Sequence, residues 1–162
     1  LYTEPHPSYV DEYRLTSRIV PTLVDDLASI LTEPSTKMVV IENDPAKQAA
    51  MRKALARDFA HGELTWCMSR HNFLEVTAAE VSKWAAVAFL AERWGIPAEQ
   101  VLCIGDQEND QSMIVGAGVG VAMGNAPEAV KAQADWVAPA IGEDGAAVAL
   151  ERFVLDRSGI PA

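Results

Sequence analysis

Basic residues, cysteines and long apolar runs are all scarce in this chain. Its 162 residues hold 13 Lys and Arg against 23 Asp and Glu, a net charge of −10. So few cations argue against nucleic acid as a partner, because phosphate backbones select for Lys and Arg. The deficit does not argue against a small phosphate ester held through a metal ion, since the cation inverts the local charge logic. No apolar stretch reaches the roughly eighteen residues of a membrane span. The two cysteines, Cys67 and Cys103, lie in apolar, strand-like runs and read as buried, reduced thiols of a cytoplasmic protein rather than as a disulfide. The three histidines, His6, His61 and His71, are scattered through the first half without ligand spacing, and no Ser/His/Asp or Cys/His arrangement can be argued. The opening Leu1-Tyr2-Thr3-Glu4-Pro5-His6-Pro7 has neither the pattern of a secretory leader nor a Met, so residue 1 is expected not to be the natural start.

What is present is a soluble, folded composition, 49% hydrophobic, of a size for one ordinary domain or two small ones. The first twenty residues carry aromatics and Pro but no clear period. Residues 21–31 read as a helix with Leu23, Val24, Leu27, Ile30 and Leu31 on one side, and 37–42 as a strand. Asp44 and Pro45 are a strong helix start, predicting a helix to about Phe59 that buries Ala50, Met51, Ala54 and Leu55 and stops at His61-Gly62. Residues 63–69 and 72–77 read as strands close enough to pair as a hairpin. The region 1–79 is thus expected to be a small α+β unit.

The character changes near residue 80. Ser82 can cap a helix to Trp94, whose Trp84, Val87, Ala88, Ala91 and Trp94 have the spacing of a core-facing stripe. Gly95 and Pro97 stop it. A strand at 101–104, a helix at about 108–115, a strand at 119–123, a helix at 127–133, a short strand at Trp136-Val137 and a helix at 145–155 follow. Strand-helix alternation with short links predicts an α/β fold, with a parallel sheet and helices on its faces, over 80–162.

The most informative stretch is Gly105-Asp106-Gln107-Glu108-Asn109-Asp110, directly after the apolar run Val101-Leu102-Cys103-Ile104. It lies at the carboxyl end of a buried strand, the edge where open α/β sheets bind ligands. Asp106 at the strand end and Asp110 four residues on can face one hard cation such as Mg2+, directly or through water; helix capping is the plainer reading of each. Asn109, at a helix start, can donate to a phosphate oxygen. Asp110 can orient metal-bound water or a neighbouring Lys. Gln107 and Glu108 read as a solvated helix start. Lys83 sits in the first turn of a helix, where a cation is mildly unfavourable unless an anion binds beside it. Gly116, Gly118, Gly120 and Gly124 do not form a dinucleotide fingerprint, since they precede and enter a strand instead of following one; close packing and turns explain them better.

Three runs, FLEVTAAEVSKW (73–84), VLCIGDQENDQSM (101–113) and GVGVAMGNAPEAVKAQADWV (118–137), resemble the C-terminal portion of a haloacid-dehalogenase-superfamily phosphatase, most closely the Cof-type subgroup with a subclass IIB α+β cap domain. The resemblance covers about 35–155 and rests on the SK, GDxxND and MGNA elements in that order. It implies a Rossmann-like core beside a small α+β cap domain, and Mg2+-dependent transfer of a phosphoryl group from a small phosphate ester, a sugar phosphate by default, through an aspartyl-phosphate. By that resemblance Lys83 stabilises the phosphoryl group, Asp106 binds metal, Asn109 contacts phosphate, and Asp110 serves the metal shell or orients Lys83. Lys83, Asp106 and Asp110 are the expected catalytic set.

Two departures stand out. Trp84 occupies the place where the family usually has Gly. More serious, no DxDGT-like element occurs, nor the Ser/Thr phosphate element after it, and the former supplies the family's nucleophile. The chain is therefore expected to be the second half of a phosphatase: an incomplete cap domain (1–79) and the C-terminal part of the core (80–162). Alone it is expected to be inactive, and to self-associate or pair with a missing N-terminal segment. The rival reading is a non-catalytic anion- or metal-binding regulatory module of the same fold.

Overall fold

Backbone pairing, rather than apolar periodicity, organises the first thirty residues. The computed structural model describes residues 1–59 and 62–155. Strand β1 (Tyr2–Thr3) pairs in parallel with β2 (Thr22–Leu23), and helix α1 (Pro7–Ser17) makes the crossover. The helix expected over 21–31 shrinks to α2 (Leu27–Ile30). Asp26 sets its start by accepting from the Ala28 amide at 2.9 Å, while the backbone of Thr22 and Leu23 is taken up by β1. Helix α1 has no side-chain cap and escaped the periodicity reading. Tertiary contacts hold it: Tyr13 stacks on Phe73 at 6.0 Å between ring centroids, and Glu12 accepts from the Asn72 amide at 2.5 Å.

A second sheet follows, built from β3 (Met38–Ile41), β4 (Leu64–Arg70) and β5 (Phe73–Ala78) in the antiparallel order β3-β5-β4. The expected hairpin is β4-β5, with Phe73 and Leu74 of its central strand buried. Between β3 and β4 runs α3 (Pro45–Asp58), capped by the Asp44 carboxylate on the Ala46 amide at 2.8 Å. Its expected buried face is a correction. Ala50, Met51 and Phe59 are exposed, Ala54 and Leu55 only half-buried. The helix instead turns the polar Gln48 and Arg52 toward a crevice shared with the second half of the chain. Of the predicted stop, His61 lies outside the described residues, and Gly62 has the left-handed φ of 96° that favours glycine.

The second half contains α4 (Lys83–Trp94), β6 (Leu102–Gly105), a 3-10 turn at Glu108–Asp110, α5 (Gln111–Gly116), β7 (Val119–Ala122), α6 (Glu128–Lys131), β8 (Trp136–Val137) and α7 (Gly145–Leu150), which continues as a π-helical turn, Glu151–Leu155. The strands are all parallel, in the order β6-β7-β8. Alternation along β7 sends successive side chains to opposite faces. Ala122 packs with Ile114, Ala126 and Val130 from the α5–α6 side; Val121 packs with Met123, Ala138, Ala149 and Phe153 from the α7 side. Helices therefore cover both faces, and the fold is α/β and Rossmann-like, as its sequence order predicts.

Ser82 caps α4 through the Ala85 amide at 3.0 Å, and Gly95 ends it at φ 68°. Only part of the expected stripe is covered. Ala91 is buried and Trp84, Val87 and Ala88 are half-buried, but Trp94 is 67% exposed. Helix α4 packs on α5, and among the described residues β6 is the edge of the sheet, paired with β7, while the last turn of α4 leaves Trp94 exposed.

Candidate active site

The site grows from one close approach. At the end of β6 the chain turns so that the Asp110 side chain folds back over Gly105, where a Cβ would collide with it. Any larger residue at 105 would push the carboxylate away. So placed, one Asp110 oxygen accepts from the backbone amides of Asp106 (2.9 Å) and Gln107 (3.0 Å), and the other pairs with the Lys83 ammonium in a short contact. Asp110 is buried, its side chain 5% exposed against 48% for Lys83. Three donors stabilise a carboxylate that burial alone would disfavour. The first turn of α4 thereby meets the loop after β6, and the amide of the neighbouring Trp84 donates to Ser112 Oγ at 3.3 Å.

Trp84, the departure from the family pattern, is accommodated by a second close approach. Its indole lies on Gly116, where a Cβ would strike the ring. The glycine at the end of α5 provides the space that a tryptophan beside Lys83 requires.

Asp106 projects from the same loop, half-buried, and receives one side-chain hydrogen bond, from Asn125 Nδ2 at 3.3 Å. Asn125 is in turn oriented by the Ile141 amide, which donates to its Oδ1 at 3.0 Å. It belongs to the MGNA stretch but carried no assigned role in the sequence reading. The available signal was topological: in a parallel sheet the residues just after β7 lie beside those just after β6. Asn109 sits in the 3-10 turn with a buried Oδ1 that has no hydrogen-bond partner among the described residues.

The solvated helix start expected at Gln107 and Glu108 is a correction. The Gln107 amide donates to the Asp110 carboxylate at 3.0 Å, and the Asp110 amide donates back to the Gln107 carbonyl at 3.0 Å. Glu108 takes a bidentate ion pair from Arg52 (2.6 and 2.7 Å) and a hydrogen bond from the Met68 amide (3.1 Å). This contact raises the Arg52 pKa, chiefly through its hydrogen bonds to Glu108. No local pattern reveals it, because 56 residues separate the partners.

The charges around the loop do not cancel. Asp110 is paired with Lys83 and Glu108 with Arg52, while no Lys or Arg among the described residues pairs with Asp106. Three carboxylates against two cations leave one negative charge, on Asp106. The uncompensated Asp106 carboxylate is an oxygen donor of the kind a hard cation takes, and Mg2+ accepts few protein oxygens and keeps several waters. Both oxygens of Asp110 are already engaged, which places it behind Lys83 and the loop amides. Among the described residues no group of three His, Cys, Asp or Glu side chains could hold an ion.

An α/β domain with a Lys-Asp pair and a free carboxylate at the carboxyl ends of parallel strands is a class suited to phosphoryl chemistry. The family profile of the haloacid dehalogenase-like hydrolases matches residues 2–150. The chain belongs to that family, in its Cof-type, subclass IIB group. It is 45% identical over 82 residues to the 5-amino-6-(5-phospho-D-ribitylamino)uracil phosphatase YcsE of Bacillus subtilis, a match spanning 51% of this chain and 33% of that protein. A haloacid dehalogenase-like hydrolase from Bacteroides thetaiotaomicron superposes with a TM-score of 0.72 at 34% identity, over 93% of this chain and 56% of that one. The subclass IIB sugar phosphatase BT4131 superposes at 0.78 and 25% identity, over 93% and 55%. The chain spans about a third of the length of the curated relatives it matches.

Proposed function

We propose that this chain is the portion of a Mg2+-dependent phosphoric monoester hydrolase that holds the metal and steadies the transferred phosphoryl group. The observation that carries the reading is the Lys83–Asp110 pair locked to the loop after β6, with Asp106 left uncompensated beside it. Phosphoryl transfer asks a protein mainly for positioning and charge neutralisation. In this reading Lys83 draws in the phosphate oxygens while Asp110 holds its ammonium in place. Asp106 holds the metal, with Asp110 in its outer shell, Asn109 contacts the phosphate, and Asn125 orients the Asp106 carboxylate. Bound Mg2+ supplies charge neutralisation to the phosphoryl oxygens. The substrate is a small phosphate ester, a sugar phosphate by the likeness to BT4131.

The covalent step, an aspartyl-phosphate, needs an activated carboxylate. The sequence offers no DxDGT-like element for it, so the isolated chain is inactive and works with a segment that carries the nucleophile. Two features support such pairing: among the described residues β6 has a strand on one side only, and Phe89 and Trp94 of α4 are 61% and 67% exposed. The free thiols Cys67 and Cys103 suit a reducing compartment such as the cytoplasm. No helix among the described residues is long and apolar enough to cross a membrane.

Hydrolysis of an aryl phosphate with and without Mg2+ tests the reading, by this chain alone and with a nucleophile-bearing segment restored. The expected result is no turnover alone, and Mg2+-dependent turnover on restoration that Asp106→Asn abolishes. Mg2+-dependent turnover by the chain alone, lost in Asp106→Asn, means that a carboxylate within these residues is the nucleophile. Restored turnover indifferent to Asp106→Asn removes the metal role.

A further inference from the structure

The contact between the two halves of the chain falls on the site loop itself. Glu108 lies between Asp106 and Asp110, and its carboxylate is held from across the crevice by Arg52 of α3 and by the Met68 amide of β4. Two parallel N–H···O bonds fix both the distance and the plane of the carboxylate, which a single-point contact does not. The third bond takes a backbone donor in the middle of a strand that pairs with β5. Glu108 is thus tied to the edge strand of the sheet, beside its register shift at Met68, as well as to a side chain. The crevice beside this junction, about 390 Å³, is walled by Gln48, Arg52 and His71 on one side and by Gln107 and Gln111 on the other.

We propose that Arg52 is a positioning residue for the Asp106–Asp110 loop, acting through Glu108. The loop's own bonds all run inward: the amides of Asp106 and Gln107 donate to the Asp110 carboxylate, and the Asp110 amide donates to the Gln107 carbonyl. They shape the loop, but among the described residues the outward hold on its middle comes from Arg52 and Met68. With Glu108 clamped, rotation of the turn about the end of β6 is resisted from the first half of the chain, and Asn125 orients the Asp106 carboxylate on a loop held in that way. The side-chain exposures of the pair, 38% for Arg52 and 28% for Glu108, leave it open enough for salt to weaken. Its importance for catalysis rests on the function proposed above; the clamp itself does not.

Amide hydrogen exchange on the full chain reads the clamp directly. Arg52→Gln and Glu108→Gln are expected to speed exchange at Met68, Asp106 and Gln107 by roughly tenfold while Val121 in β7 stays protected. Arg52→Lys, which keeps the charge but not the fork, is expected to recover only part of the protection. Affinity for Mn2+, used as a paramagnetic probe, is expected to fall in the same order. Should a variant lose protection at Val121 as well, wild-type chain in about 1 M NaCl provides the second measurement, with the same three amides expected to respond. Unchanged exchange at Asp106 and Gln107 overturns the proposal, whether or not Met68 responds. If the wild type binds no Mn2+, the metal role of Asp106 fails, and the exchange results still decide the clamp.

Discussion

At the scale of single residues, Asp110 is the centre of the site. It is buried, and its three partners come from two elements, so its removal strands the Asp106 and Gln107 amides as well as Lys83. Asp110→Ala is expected to cost about 3 kcal/mol in urea unfolding. Lys83→Ala is expected to cost less, about 1–2 kcal/mol, because the ammonium is half-exposed and water screens the pair. Equal losses would show that the loop amides matter little. The cysteines offer a pH test. Burial raises the thiol pKa of Cys67 and Cys103 above the ordinary 9.0. Folding therefore favours the protonated thiol, and this stability is present below pH 9.0 and lost as pH rises through the folded value. Unfolding midpoints are expected to fall as pH rises from 9.0 through the folded value, less steeply in Cys103→Ala. At neutral pH both thiols should react with a disulfide reagent more slowly in the folded than in the urea-unfolded chain.

At the scale of elements, two glycines decide how α4, β6 and α5 fit together. Gly116→Ala drives a methyl into the Trp84 indole, and about 1–3 kcal/mol of destabilisation is expected from overpacking. Adding Trp84→Ala removes the obstacle, so the double variant should be more stable than the sum of the two single changes predicts. Additive losses would mean that the indole moves aside freely. Most elements were legible because their signals are local. Asp44-Pro45 and Ser82 mark helix starts by satisfying free amides, and Gly95 marks a stop by accepting a left-handed backbone. Helix α1 and the β1–β2 pair were not legible. Their stability comes from Phe73, Asn72 and each other, partners that no window of sequence contains. The apolar side of α3 misled for the same reason: periodicity says that a face exists, and only its neighbours say whether it is covered.

For the whole molecule, the open edge of β6 and the bare outer turn of α4 lead to an expected tendency to associate. Sedimentation should show concentration-dependent species larger than the monomer, reduced by Trp94→Lys. A clean monomer at all concentrations, with no binding of a hydrophobic dye, would count against the exposed face as an interface.

The sequence by itself determined what depends on neighbours along the chain. Strand-helix order dictated a parallel α/β sheet, and a glycine and carboxylates after an apolar strand marked the ligand edge. Asp106 and Asp110 were named from their spacing, and Lys83 and Asn109 from their places at helix starts. Tertiary structure alone decided which carboxylates are already occupied. Asp110 is taken by Lys83 and two amides, Glu108 by Arg52 and Met68, and among the described residues Asp106 has only Asn125. The physical reason is that the charge balance of a carboxylate depends on every donor within a few ångströms, and folding draws those donors from α3, β4, α4 and the turn after β7.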